Sequence, residues 1–265
     1  MSSIVRPNPR QRTRRLLVLV AAVFAIMVPV AQNLAGWGLT QAEFAADGDS
    51  TLRVAGYAFS IWGLIYLGII AYALRLMLPQ TGESPLIGHM AFPSIVAFFG
   101  IGMWIIVAAL NLKVASVGVI FASLLALLIP LLLASRAIRS LPMRDGDRLF
   151  LAWPLAALAG WLTIAAPLNL LTTATALDAL PAMLSPTAWA ILAIVAVALV
   201  ALAVTWALRL MAYPLPIAWG LIGAFVAEQE RNPTVGFTAL AAAVLLIIGA
   251  VMLVFRLQRG VDRAR

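Results

Sequence analysis

Phe59, Trp62 and Tyr66 are spaced three and four apart, so a helical segment would carry them on one face. Trp104, Trp153 and Trp161 fall in or beside other apolar runs. Tryptophan commonly anchors a spanning helix at the headgroup level. Trp62 lies about eight residues into its run and Trp161 about a dozen into its own, too deep for that role alone. Deep aromatics can wall a pocket for a flat apolar ligand, with a few polar groups fixing its orientation; core packing explains them equally well.

The polar candidates are amides and one acidic cluster. Gln32 and Asn33 close the first apolar run, Asn111 the third, and Asn169 stands near the end of the fifth. In lipid an amide seeks a partner on another helix or on a ligand. A shared polar layer tying the helices together is the plainer role, at about 0.6–2 kcal/mol per bond. Glu228, Glu230 and Arg231 sit at the end of the seventh run, either as a solvated helix end or as a polar gate or proton-linked site. No run holds a central carboxylate or lysine, which argues against an ion-coupled pump. The one histidine, His89, stands in a loop, so the serines lack a triad partner. With no cysteine there is no disulfide, thiolate nucleophile or thiolate metal site, and one histidine cannot build a multi-histidine site. No catalytic residue and no cofactor is expected.

The elements that must position these residues follow from composition. The chain is 64% hydrophobic and 11% charged, with a mean hydropathy of +1.04; a soluble domain carries about 25% charged residues. Eight apolar runs recur, at 16–36, 54–74, 90–112, 114–135, within 149–171, 187–208, about 213–227 and 235–255. Spanning takes about 20 such residues per helix, and continuous rather than alternating runs exclude a barrel. The expected fold is all-α, a polytopic transmembrane helix bundle of about eight spans. Fifteen of the eighteen Lys and Arg, from Arg6 to Arg265, then fall on the side of the N-terminus, and only Arg53, Lys113 and Arg231 opposite. That asymmetry puts both termini in the cytoplasm and accounts for the net charge of +8 without a nucleic-acid partner. The seventh run is short and opens with Pro214 and Pro216, so a re-entrant segment is the alternative there. The first run is read as a retained helix, because no small-x-small cleavage pattern follows it. Loops of about 16 residues or fewer leave no room for a soluble domain. Asn111, Leu112 and Lys113 form a tight turn between the third and fourth spans. Trp62-Gly63-Leu64-Ile65 recurs as Trp219-Gly220-Leu221-Ile222. Gly36, Gly38, Ala109, Ala115 and Gly118 permit close helix contacts, within the chain or in a homodimer.

Gly56-Tyr57-Ala58-Phe59-Ser60-Ile61-Trp62-Gly63-Leu64-Ile65-Tyr66 resembles the second-helix signature of the TspO/MBR family, the tryptophan-rich sensory or translocator proteins. Trp104 followed by Leu110-Asn111 resembles the third-helix pattern, and the segment from Gly160-Trp161 to Leu168-Asn169 resembles the fifth. Trp153-Pro154 stands where the family has Pro-Tyr, Val114 where a Trp often follows, and Pro167 interrupts the fifth helix. The resemblance covers roughly residues 16–172. It implies a TspO-like five-helix domain, 1–172, followed by an additional three-helix segment, 173–265. It also implies an intramembrane aromatic pocket for a flat or rigid apolar ligand, a tetrapyrrole such as a porphyrin or a sterol or isoprenoid. Carried over residue by residue, Phe59, Trp62, Tyr66, Asn111, Trp161 and Asn169 line or order that pocket, with Trp104 beside them. The expected setting is a bacterial-type plasma membrane, with membrane lipid and a hydrophobic small molecule as partners. Two other classes stay open: a secondary transporter of a small lipophilic solute, and a membrane enzyme acting on a lipid through Glu228 and Glu230.

Overall fold

A computed structural model describes residues 8–78 and 84–256; Arg6, Arg259, Arg263 and Arg265 of the charge pattern lie outside the described residues. Helix α1, Pro9–Ala35, opens on a capping box between Asn8 and Gln11 and stops at Gly36. A short helix α2, Gln41–Ala46, begins at a second capping box, Thr40 with Glu43. A 3-10 turn at Gly56–Ser60 runs straight into α3, Ile61–Met77. Then come α4, Pro85–Ala109, α5, Lys113–Leu133, and the short α6, Ser135–Ser140. A π turn at Arg148–Ala152 leads into α7, Trp153–Ala176. Helices α8, Pro186–Leu208, α9, Pro214–Glu228, and α10, Pro233–Val251, follow, and a π turn at Met252–Arg256 ends the described residues. Proline at the first turn is tolerated because that N–H has no helical partner anyway, and α4, α8, α9 and α10 all use it.

Seven of these helices, counting their adjoining turns, are long and apolar enough to cross a membrane. The seventh run is the shorter α9, whose 15 residues rise about 22 Å. Its two ends settle how it runs. Arg148, in the π turn that leads into α7, donates to the carbonyl of Arg209 at 3.4 Å, while Glu228 accepts from the backbone N–H of Arg53 at 2.6 Å. Segment 209–228 therefore passes from one end of the bundle to the other. The helix is short because Leu210–Tyr213 is a buried, irregular approach rather than part of it. With that passage the chain traverses the bundle eight times.

Side-chain size sets the helix contacts. The α4–α5 hairpin turns at Asn111, which adopts φ 54, as the tight turn at 111–113 leads one to expect. A Cβ on Gly102 would fall 2.6 Å from the ring of Phe24, so α1 and α4 touch there with nothing to spare. Gly160 of α7 lies under the carbonyl of Tyr213, where an added Cβ would sit 2.1 Å from the oxygen. The Tyr213 hydroxyl reaches Thr163 at 2.8 Å and fixes the approach to α9 against α7. Contrary to expectation, Pro167 does not end its helix; α7 continues to Ala176. One lost backbone bond is tolerable in a helix packed against α3, α5, α8 and α9, where neighbours hold the backbone in place.

Candidate functional site

A cavity of about 40 Å³ lies beneath α2, walled by α3, α4, α5, α7 and α9. Phe59 comes from the 3-10 turn before α3 and Trp62 from the start of α3, Trp104 and Ile101 from α4, Ile120 and Ser123 from α5, and Trp161, Leu168 and Asn169 from α7. Gly220 of α9 closes one side and Phe44 of α2 the top. The walls are aromatic and interlocked. Trp161 meets Trp62 and Phe59 edge to face, each at 6.3 Å between ring centroids, and Phe44 meets Trp104 the same way at 5.9 Å. Such pairs are worth about 0.5–1.5 kcal/mol each beyond their burial. Two polar groups in this wall are unmatched: Nε1 of Trp62 and Nε1 of Trp104 are buried with no acceptor in the protein. Leaving a buried donor unsatisfied costs about 1–3 kcal/mol.

The roof is the segment 37–55, with α2 within it, strapped across the bundle end. The N–H of Leu39 bonds the carbonyl of Ala109 at 3.0 Å. Asp47 pairs with Lys113 at 2.7 Å and accepts from Asn111 at 3.3 Å, and these bonds hold its carboxyl below the usual range. The Lys113 ammonium also lies 5.1 Å over the Phe44 ring. Glu43 is held low by the backbone N–H and then the hydroxyl of Thr40. Gly48 has φ 106 and abuts α7, where a Cβ would fall 2.4 Å from the Thr172 carbonyl, so only glycine seats the strap there. Beyond it Thr51 bonds Thr175 at 2.7 Å, and Asp49 pairs with Arg53 at 2.5 Å. That pair raises the Arg53 pKa. The far end is fastened to α9: Arg231 donates to the carbonyls of Ser50 and Asp49 and pairs with the fully buried Glu228. The N–H of Ala55 bonds Gly223 at 3.0 Å, and the Trp219 indole bonds the Ala58 carbonyl at 2.9 Å.

A family model described as TSPO-like protein matches residues 15–252. The chain belongs to the TSPO-like family. The match reaches past the fifth helix through α8, α9 and α10, so these helices lie within the pattern that defines this TSPO-like group. The chain matches no curated protein and no solved structure. It is an integral membrane protein of TSPO-like type.

Five of the residues singled out in the sequence, Phe59, Trp62, Trp104, Trp161 and Asn169, line the cavity of this TSPO-like protein. Tyr66 stands behind it, stacked on Trp62 at 5.4 Å. Asn111 lies apart in the α4–α5 turn, where its amide holds Asp47. The four amides do not form one polar layer. Gln32 donates to Leu39, Asn33 to Pro29, and Asn169 to Ser116 at 2.9 Å, because a carbonyl or hydroxyl within reach satisfies each one locally. Glu228 is a fastening of the strap rather than a gate in the cavity wall. Among the described residues no group of three or more His, Cys, Asp or Glu is placed to hold a metal ion. The sequence reading missed Phe44 and Gly220. Phe44 sits in a six-residue helix outside every apolar run, and its only signal was an aromatic residue one place after the capping glutamate. Gly220 was visible as part of the repeated Trp-Gly-Leu-Ile.

Proposed function

We propose that this protein binds a flat or rigid apolar ligand in the aromatic cavity beneath α2, with the strap as its lid. The observation that carries the reading is the pair of buried, unmatched indole N–H groups, Trp62 and Trp104, in an otherwise apolar wall. Core packing alone gains nothing from two orphan donors, whereas a ligand carrying an acceptor would satisfy them. A tetrapyrrole is the first class to try. Small-molecule sites measure about 300–1,000 Å³. The cavity, at about 40 Å³, therefore takes such a ligand only when Phe44 and the lid move outward. The charge asymmetry supports cytoplasmic termini, with the lid on the opposite face of the membrane.

The test is quenching of tryptophan fluorescence by protoporphyrin in the detergent-purified protein, beside a Trp62→Phe, Trp161→Phe variant. Saturable quenching that weakens at least about tenfold in the variant, the loss of about 1.4 kcal/mol, supports the reading. Equal or non-saturable quenching in both proteins overturns it for that ligand class.

A further inference from the structure

A second void, of about 20 Å³, lies between α7, α8 and α9. Pro167 of α7, Ala193, Ile194 and Val197 of α8, and Leu221 and Ala224 of α9 form its wall. No aromatic ring and no polar side chain lines it. The small side chains of Ala193 and Ala224 help to leave the space open.

Three residues line this void and the aromatic cavity alike: Val54 of the strap, and Ile164 and Leu168, one turn apart on α7. They form the partition between the two. The turn of α7 that carries it lacks a backbone bond, because Pro167 has no N–H to give to the Thr163 carbonyl. Ile164 occupies room left by α9, where a Cβ on Gly220 would fall 2.9 Å from its Cδ1. The strap covers both spaces, with Phe44, Ala45 and Val54 against one and Leu52 and Val54 against the other. A lid that moves off the aromatic cavity therefore moves off the void as well.

We infer that the ligand of the aromatic cavity carries a branched aliphatic tail, and that this tail lies in the second void, past Ile164 and Leu168. The inference rests on the proposed function and deepens it, from a flat apolar ring to a flat ring bearing a hydrocarbon chain, as in a phytyl ester. A ring is best received by aromatic walls, edge to face or offset-stacked. A branched chain suits walls of Ile, Val, Leu and Ala, where each methyl and methylene restores contacts that an empty void lacks. A charged or hydroxylated tail would be buried there with no polar side chain to meet it.

The test compares two esters of one ring, pheophytin a and methyl pheophorbide a, which differ in carrying phytyl or methyl on the same carboxyl group. Each is titrated by tryptophan-fluorescence quenching into the detergent-purified full chain at one detergent concentration. The phytyl ester should bind at least about threefold more tightly, because its tail fills the void. Ala193→Leu, at a half-buried position, and Ala224→Leu, at a buried one, narrow the void from α8 and from α9. In either variant that melts as the parent does, the phytyl advantage should vanish and the affinity for the methyl ester should stay the same. Ala196→Leu, on the exposed side of α8, should keep the advantage. Equal affinity for the two esters in the parent, an advantage that survives in the folded Ala193→Leu variant, or one lost equally in Ala196→Leu would overturn the tail site. Each of these leaves a packing void only, with the proposed function standing on the methyl ester. Saturable quenching by neither ester would remove the proposed function and the tail site together.

Discussion

An indole N–H buried without an acceptor opposes folding, and Trp104 keeps one beside the cavity. Phenylalanine preserves most of the ring and deletes the donor, so Trp104→Phe removes a penalty along with some packing. The two effects nearly cancel, and the variant should lose no more than about 1 kcal/mol of stability. Its affinity for an acceptor-bearing ligand should fall severalfold in the same preparation. Thermal unfolding in detergent and a quenching titration check the two halves. A loss of several kcal/mol in stability would mean that the N–H is satisfied after all and has no ligand role. Trp62 is the sharper case, because its ring lines the cavity, stacks on Tyr66 and meets Trp161 edge to face.

The lid is an element built almost wholly from fastenings. Its carboxyls at Asp47 and Glu43 are both held below the ordinary carboxylate range, by Lys113 and by Thr40. A depressed folded value means that their contribution is complete above the ordinary value, about 4, and is lost as pH falls through the folded value. The strap should therefore stay closed at neutral pH and loosen in acid. Because the chain has no cysteine, a spin label at Ala46→Cys reports the exposed side of α2 alone. Its mobility should rise below about pH 4, and Asp47→Asn should show the looser spectrum already at pH 7. A spectrum flat from pH 7 to pH 3 in both proteins would exclude these carboxylates as fastenings. This element was the least legible part of the sequence. Thr40 and Glu43 show a capping box to a reader looking for helix starts, but six residues carry no periodicity. Asp47 meets Lys113 and Glu228 meets the N–H of Arg53 only across long stretches of chain, and only the closed bundle brings them together. The aromatic wall was easier to find because it lies within apolar runs, where a helical repeat assigns Phe59 and Trp62 to one side.

Across the whole molecule the eight passes were legible, because a lipid-exposed helix must satisfy its own backbone and so announces itself as a long apolar run. The length of the seventh pass was not. Its opening stretch, Arg209–Tyr213, is irregular and packed against neighbours instead of helical, and Gly160 makes that possible by giving Tyr213 room to lie against α7. Gly160→Ala puts a methyl group into a backbone carbonyl, not into a flexible side chain. It should cost about 1–3 kcal/mol and lower the unfolding temperature, whereas Gly63→Ala, with open space around it, should not. Equal melting of the two variants would show that α7 and α9 are less closely joined than the structure has them. The irregular stretch from Arg209 to Tyr213 has a further consequence for biogenesis. A segment released sideways into lipid must have its polar groups paired, and here the Arg209 carbonyl and the Tyr213 hydroxyl meet Arg148, in the turn before α7, and Thr163 of α7. Segment 209–228 thus has to be withheld from the bilayer until α7 is in place. Because α9 packs against α10 and α8 as well as α7, the expected consequence is that the last third of the chain settles in the membrane by assembly rather than one helix at a time.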